Sequence, residues 1–275
     1  VATHAQPTGG ASPLVTSRPE QPAAAQPRRY GAAALIPRAL LFGNPEKAGA
    51  QLSPDGSQVG FLAPVGGVMN IWVGPSGKFT DAKPVTKDEK RGIRQYFFAH
   101  NNQHVLYAQD TGGDENWHIH AVDLATGKAM DLTPMEKVAA RIEGVSEKFP
   151  EEIVVGINDR NPQYHDLYRV NIRTGDRVLL QKNDGYQRFV VDDDFKVRFA
   201  QRPNADGSMD ELKVVEKDGA IAFEPFEHIE FDDVDAYDHV GFDKTGNVRY
   251  YKDTRDRETA ALLTRDLTTG KVDVV

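Results

Sequence analysis

A short turn string recurs along this chain at a nearly constant interval, and that recurrence limits the folds open to it more than any other feature. Asp123-Leu-Ala-Thr-Gly127 returns as Asn171-Ile-Arg-Thr-Gly175 and as Asp266-Leu-Thr-Thr-Gly270. Gly74-Pro-Ser-Gly77 and Lys217-Asp-Gly219 fill the same slot elsewhere. The turn glycines at 77, 127, 175, 219 and 270 lie 50, 48, 44 and 51 residues apart. A second landmark keeps step with the first. Ser53-Pro-Asp-Gly-Ser-Gln-Val59 is echoed by His100-Asn-Asn-Gln-His-Val105, Asp193-Asp-Phe-Lys-Val197 and Asp243-Lys-Thr-Gly-Asn-Val248, with Pro150-Glu-Glu-Ile153 in the remaining slot.

Each unit reads as short strands joined by turn chemistry. Asp-Gly, Asn-Asn and Thr-Gly pairs supply the positive φ that tight hairpins need. The runs between them, such as Val105-Leu-Tyr107, Ile153-Val-Val155 and Arg249-Tyr-Tyr251, are β-branched and aromatic. No segment holds a 3.6-residue apolar period over three turns. Four strands per unit of this length, repeated, predict an all-β chain, a β-propeller of four-stranded blades. The expected blades are 48–93, 94–142, 143–187, 188–237 and 238–275, within a propeller domain of 35–275. The last unit stops in mid-pattern at Lys271-Val-Asp-Val-Val275. About five visible blades therefore read as part of an incomplete seven- or eight-bladed ring, although five can also close one. Leu35-Ile-Pro37 and Leu40-Leu-Phe42 are candidates for one further strand. A β-sandwich is the competing architecture, and two landmarks sharing one period argue against it.

Composition narrows the function classes. There is no cysteine, which excludes disulfide scaffolds, zinc ribbons and thiol catalysis. A net charge of −8 argues against a nucleic-acid partner, and no apolar run reaches membrane-spanning length. Residues 1–34 are rich in Pro and Ala and poor in large aliphatics, so they are expected to form a flexible tail. Two origins fit it: the remnant of a cleaved export signal, or a trimmed gene segment. The first implies a periplasmic or secreted location, the second leaves a cytoplasmic one open.

Three stretches carry a resemblance. Leu52-Ser-Pro-Asp-Gly, Asp110-Thr-Gly-Gly-Asp-Glu-Asn116 and Ile157-Asn-Asp-Arg-Asn-Pro-Gln-Tyr-His-Asp-Leu-Tyr-Arg-Val-Asn171 together resemble the propeller of the prolyl oligopeptidase family of serine peptidases, in its dipeptidyl-aminopeptidase and acylaminoacyl-peptidase branch. The resemblance implies an N-terminal, substrate-gating propeller. The partners it implies are a peptide substrate and a C-terminal α/β-hydrolase domain carrying the Ser-Asp-His triad. This chain departs from the whole-family pattern. None of its serines has glycine on both sides in the Gly-x-Ser-x-Gly spacing of a nucleophile elbow. Catalysis by this chain itself is thus left open, with no catalytic residue assigned and no cofactor or metal expected.

In a four-stranded blade, the loops between the second and third strands share one face. Here they carry mixed carboxylates and arginines, which suit a peptide's termini or carbonyls through charge-assisted bonds. Asp114, Glu115, Arg160 and Arg257 are the candidate substrate-binding residues. The plainer reading is that such Asp, Asn and Arg side chains only shape turns. His118 and His120 share a strand face near Asp114 and Glu115, a weak hint of a divalent-metal site. Asp192-Asp-Asp194 and the acidic run 230–238 read as solvated turns, and Trp72, Trp117, Tyr250 and Tyr251 as core. Two alternative functions stay in view. One is a stand-alone periplasmic binding propeller resembling the propeller protein of the Tol-Pal system. The other is a metal-dependent propeller hydrolase.

Overall fold

The computed structural model describes residues 35–217 and 220–275, so the expected tail, 1–34, lies outside the described residues. The chain divides into two units, Val1–Gly43 and Asn44–Val275. In the first, Arg38–Phe42 form the short helix α1. A strand was expected from this stretch. Instead Pro37 O accepts from Leu40 N at 2.9 Å and Leu41 N at 3.4 Å, closing a helical turn. Pro37 cannot donate to a ladder and pre-sets φ for a helix start, and Arg, Ala and Leu follow it as good helix formers.

The second unit is built from five four-stranded antiparallel sheets, each with its strands in sequential order. Blade 1 holds β1 (Ala48–Leu52), β2 (Gln58–Val65), β3 (Val68–Pro75) and β4 (Lys83–Pro84). Blade 2 holds β5 (Tyr96–Phe98), β6 (His104–Gln109), β7 (His118–Asp123) and β8 (Ala129–Asp131). Blade 3 holds β9 (Ala140–Val145), β10 (Glu152–Asn161), β11 (Tyr164–Asn171) and β12 (Arg177–Gln181). Blade 4 holds β13 (Arg188–Val191), β14 (Val197–Pro203), β15 (Met209–Lys217) and β16 (Ala220–Ile229). After α2 (Phe231–Val234), blade 5 holds β17 (Asp238–Phe242), β18 (Val248–Asp253), β19 (Ala261–Asp266) and β20 (Val272–Val274). This is the predicted propeller of four-stranded blades. Two boundaries differ: the third blade starts at Ala140, three residues before the position expected from the landmarks, and residues 35–43, expected within the propeller domain, fall in the first unit.

The repeated string is explained by the turn between third and fourth strands. Asp123 Oδ1 accepts from the backbone N–H of Ala125 and Thr126, both at 2.9 Å, and Gly127 N donates to Asp123 O at 2.8 Å. Asn171 and Asp266 do the same for their own turns. Gly127, Gly175 and Gly270 each close the turn at φ of 68°, 76° and 75°, where a Cβ would be strained. An Asx residue at the front and glycine at the back are thus both required by one hydrogen-bonded loop.

The apolar core lies between neighbouring sheets. Leu62, Ile71, Tyr96, Phe98 and Val105 fill the interface of blades 1 and 2. Leu106, Ile119, Ile153, Val155 and Ile157 fill that of blades 2 and 3. Phe189, Phe195, Val154 and Leu167 join blades 3 and 4. Between blades 4 and 5 the packing is partly ionic. Arg249 and Glu211, at 1% and 0% side-chain exposure, form an ion pair there, with Nη2 donating to Oε1 at 2.9 Å. Tyr237 Oη donates to Glu211 Oε2 at 2.8 Å, and the Arg249 guanidinium lies 4.6 Å from the Phe199 ring centroid. A cation over aromatic faces with its carboxylate alongside satisfies charges that would otherwise be costly to bury.

Candidate functional site

The loops between second and third strands, and the connections between blades, all leave on one face of the sheets. That face is pinned by arginine–aspartate pairs. Arg91 bonds both oxygens of Asp110, at 3.1 and 3.0 Å. Arg160 does the same to Asp166, at 2.7 and 2.8 Å, and donates also to Asn183 O at 2.7 Å. Arg202 meets Asp210 at 3.2 Å, and Arg255 Nε lies 2.8 Å from Asp253 Oδ2. Asp110, Asp166 and Asp253 are buried, so each pair ties a loop to the sheet with its carboxylate sheltered from water. Burial pushes the Asp166 carboxyl upward, yet the Arg160 guanidinium and the Asn183 N–H outweigh it and hold it below the usual range.

The four residues singled out from the sequence reach this same face but do not form one cluster. Among the described residues, no hydrogen bond or ion pair links any two of them. Asp114 accepts from Asn116 Nδ2 and Asn116 N, each at 3.1 Å, and from Thr111 N at 3.2 Å. Those bonds, the Asn116 side chain first, hold its carboxyl below the ordinary value. Glu115 is exposed and sits at φ 60°, with its backbone N–H 3.4 Å from Asp110 Oδ2. The donors of Arg160 are engaged by Asp166, Asn183 and, at 2.9 Å, Asp184, which makes it a clamp within blade 3. Arg257 is exposed; its backbone N–H donates to Thr254 O at 3.0 Å and its Nε to Arg255 O at 3.4 Å, both within its own loop. The stretch 158–161 belongs to β10 rather than to a loop; only Pro162 and Gln163 turn the chain.

His118 Nδ1 lies 2.7 Å from Asp131 Oδ2, while His120 stacks on Tyr107 with centroids 4.9 Å apart. Burial lowers the His120 pKa against the opposing pull of Asp131. Among the described residues no three His, Asp or Glu side chains are placed to hold a metal ion.

A cavity of about 550 Å³ opens between blades 2 and 3, at the loop-bearing end of their shared core. Its walls include Phe97, Tyr107, Trp117 and Ile142, with Arg94 and Arg141 beside them and no carboxylate in the lining. Reading the sequence for loops missed it, because its cations sit where first strands begin, not where hairpins turn. A signal was present: Lys47, Arg94, Arg141 and Arg188 are spaced 47 residues apart and stand at or just before the first strands of four successive blades. Arg141 and Arg188 share the buried Glu143. Burial raises the pKa of that carboxyl against the opposing pull of the two arginines. Arg94 is exposed and has no hydrogen-bonding or ionic partner among the described residues.

No family model matches the chain. It is 43% identical over 248 residues to dipeptidyl aminopeptidase BIII of Pseudoxanthomonas mexicana, covering 90% of this chain and 36% of that protein. It is 30% identical over 229 residues to dipeptidyl peptidase family member 6 of Caenorhabditis elegans, covering 79% of this chain and 31% of that protein. The chain therefore spans about a third of the length of the curated relatives it matches. Among solved structures, a prolyl endopeptidase superposes with a TM-score of 0.58 at 11% identity, over 83% of this chain and 35% of that one. The acylaminoacyl peptidase of Pyrococcus horikoshii does so with a TM-score of 0.51 at 15% identity, over 84% and 39%. At such identities these two likenesses speak for the fold alone.

Proposed function

We infer that this chain, a propeller segment belonging to the prolyl oligopeptidase family of serine peptidases, gates access of peptides to a hydrolase domain in a longer polypeptide. The observation that carries the reading is the 43% identity to a dipeptidyl aminopeptidase across nine tenths of the chain. Five sheets stacked through apolar and ionic interfaces form a rigid wall, and the pinned loops give that wall a polar, charged rim. A rigid wall selects by size; a charged rim orients the ends of a peptide. Hydrolysis itself is assigned to a Ser-Asp-His triad in the hydrolase domain. The stand-alone binding propeller is the weaker alternative, since the curated relatives are named as peptidases. An exported location is part of the proposal and rests on the Pro- and Ala-rich first 34 residues; cell fractionation tests it.

Assays on dipeptidyl chromogenic substrates test the gate. The chain alone is expected to show no turnover, and the longer polypeptide to cleave short peptides in preference to peptides of some thirty residues. Removing the propeller from the longer polypeptide should abolish that preference. Turnover by the chain alone, or an unchanged size preference after its removal, would overturn the assignment.

A further inference from the structure

The cavity between blades 2 and 3 combines three properties. It is roomy enough for an aromatic or branched aliphatic group, at about 550 Å³. Its walls are largely apolar, from Phe97, Trp117, Ile119 and Ile142. Its charged side chains are both arginines, Arg94 and Arg141. The Trp117 indole N–H has no hydrogen-bond partner among the described residues and is not sealed from solvent. Arg94 is likewise uncommitted, and Arg141, 42% exposed, spends Nε on Glu143 and Nη2 on Gln187 O at 2.7 Å.

An apolar pocket edged by guanidinium groups and an indole N–H, with no carboxylate in its lining, matches an apolar group carrying a negative charge. A cationic ligand finds no counter-charge there, and a neutral apolar one leaves the Arg94 fork unused. We propose that this pocket binds the C-terminal residue of a short peptide, its aromatic or branched side chain between Phe97, Trp117 and Ile142 and its α-carboxylate on Arg94. The ligand class rests on the peptide-gating reading above; the pocket's preference for an apolar carboxylate does not.

The two tryptophans make a built-in test. Trp72 Nε1 donates to Ala63 O at 3.1 Å, whereas the Trp117 indole N–H has no partner among the described residues. The full chain, labelled with ¹⁵N at its indoles, is titrated with N-acetylphenylalanine and separately with N-acetylphenylalaninamide. The acid is expected to shift one indole cross-peak saturably while the other stays fixed, and Trp117→Phe should remove the peak that moves. The amide should bind at least about tenfold more weakly, as expected for loss of a charge-assisted pair. Arg94→Gln should weaken the acid by a similar factor, and Arg94→Lys should restore part of it. Arg94 is exposed and has no ionic partner among the described residues, so both variants are expected to melt like the parent chain. Equal affinity for acid and amide, an unmoved pair of indole peaks, or unchanged binding by Arg94→Gln would each overturn the proposal. None of these readouts involves hydrolysis. Failure here with size selection intact therefore removes the pocket and not the gate, and the converse result removes the gate alone.

Discussion

Arg91 and Asp110 meet fork to fork across the interface of the first two blades, Nε to Oδ1 at 3.1 Å and Nη2 to Oδ2 at 3.0 Å. The carboxylate is fully buried and the guanidinium one-third exposed. The pair fastens the connection leading into blade 2 to the loop that carries Asp114 and Glu115.

Asp110→Ala is therefore expected to cost about 2–3 kcal/mol, because it strands the cation and frees the Glu115 N–H. Arg91→Ala should also destabilise, since it leaves the carboxylate buried without a counter-charge. Urea denaturation of the two variants, with amide exchange across 110–117, checks both the loss and its location. Exchange in that loop as slow as in the parent would contradict the pinning role.

The pair of Glu211 and Arg249 gives a sharper test. Either single replacement, Glu211→Met or Arg249→Leu, leaves one charge buried between blades 4 and 5 and should cost about 3–5 kcal/mol. The double replacement should cost less than the worse single one, because no unpaired charge remains. A double-mutant cycle by chemical denaturation measures this coupling directly. Additive losses would show the two side chains to be energetically independent.

Stability should fall as pH drops from neutrality. His239 is lowered to about 4, by burial first and then by Arg249 and Arg188, and His165 is lowered to about 4 by burial and Arg141. A depressed histidine stays neutral in the fold while the unfolded chain takes up its proton near pH 6.5. The stability it contributes is complete above that value and is lost as pH falls toward 4. For His239, partly exposed, the loss between pH 7 and 5 is on the order of 1 kcal/mol. Melting temperatures of the chain and of His239→Gln across this window check it: the variant should show the shallower slope.

Gly74→Ala should destabilise for a steric reason. A Cβ at this position of β3 would lie 2.6 Å from Ala82 Cα and 2.8 Å from Ala82 N, which are backbone atoms and cannot swing away. Overpacking of this kind costs about 1–3 kcal/mol. Gly77, by contrast, faces open space at φ 77°, so Gly77→Ala should pay only the milder strain of a left-handed backbone, about 1 kcal/mol. A thermal melt of each variant orders them.

The architecture was legible because its turns are chemically stereotyped. Asp123, Asn171 and Asp266 each cap a loop that glycine closes, so one hydrogen-bond pattern prints the same letters three times. The helix at Arg38–Phe42 was not legible, since Leu40-Leu-Phe42 fits a strand as well as a turn of helix. Topology puts Asp114, Glu115, Arg160 and Arg257 at one end of the sheets, but nothing in local sequence reveals that Arg160 lies within β10 and is consumed by Asp166, Asn183 and Asp184. Trp117 was read as core because strand aromatics usually are; its half-buried position at the cavity wall depends on how blade 3 approaches blade 2. The regular recurrence of Lys47, Arg94, Arg141 and Arg188 is visible in the letters, yet only the fold shows that it marks the entrances of first strands.

Because every sheet of the described residues keeps its strands in the order of synthesis, none of these strands waits for a sheet partner made much later. A ribosome adds about 5–20 residues each second, whereas a hairpin closes in about 1–10 μs. Each sheet can thus be paired before the next has left the exit tunnel. The vulnerable moment is then the docking of one finished sheet on another, and at the Arg249–Glu211 seam that docking must strip water from two charges before they can pair.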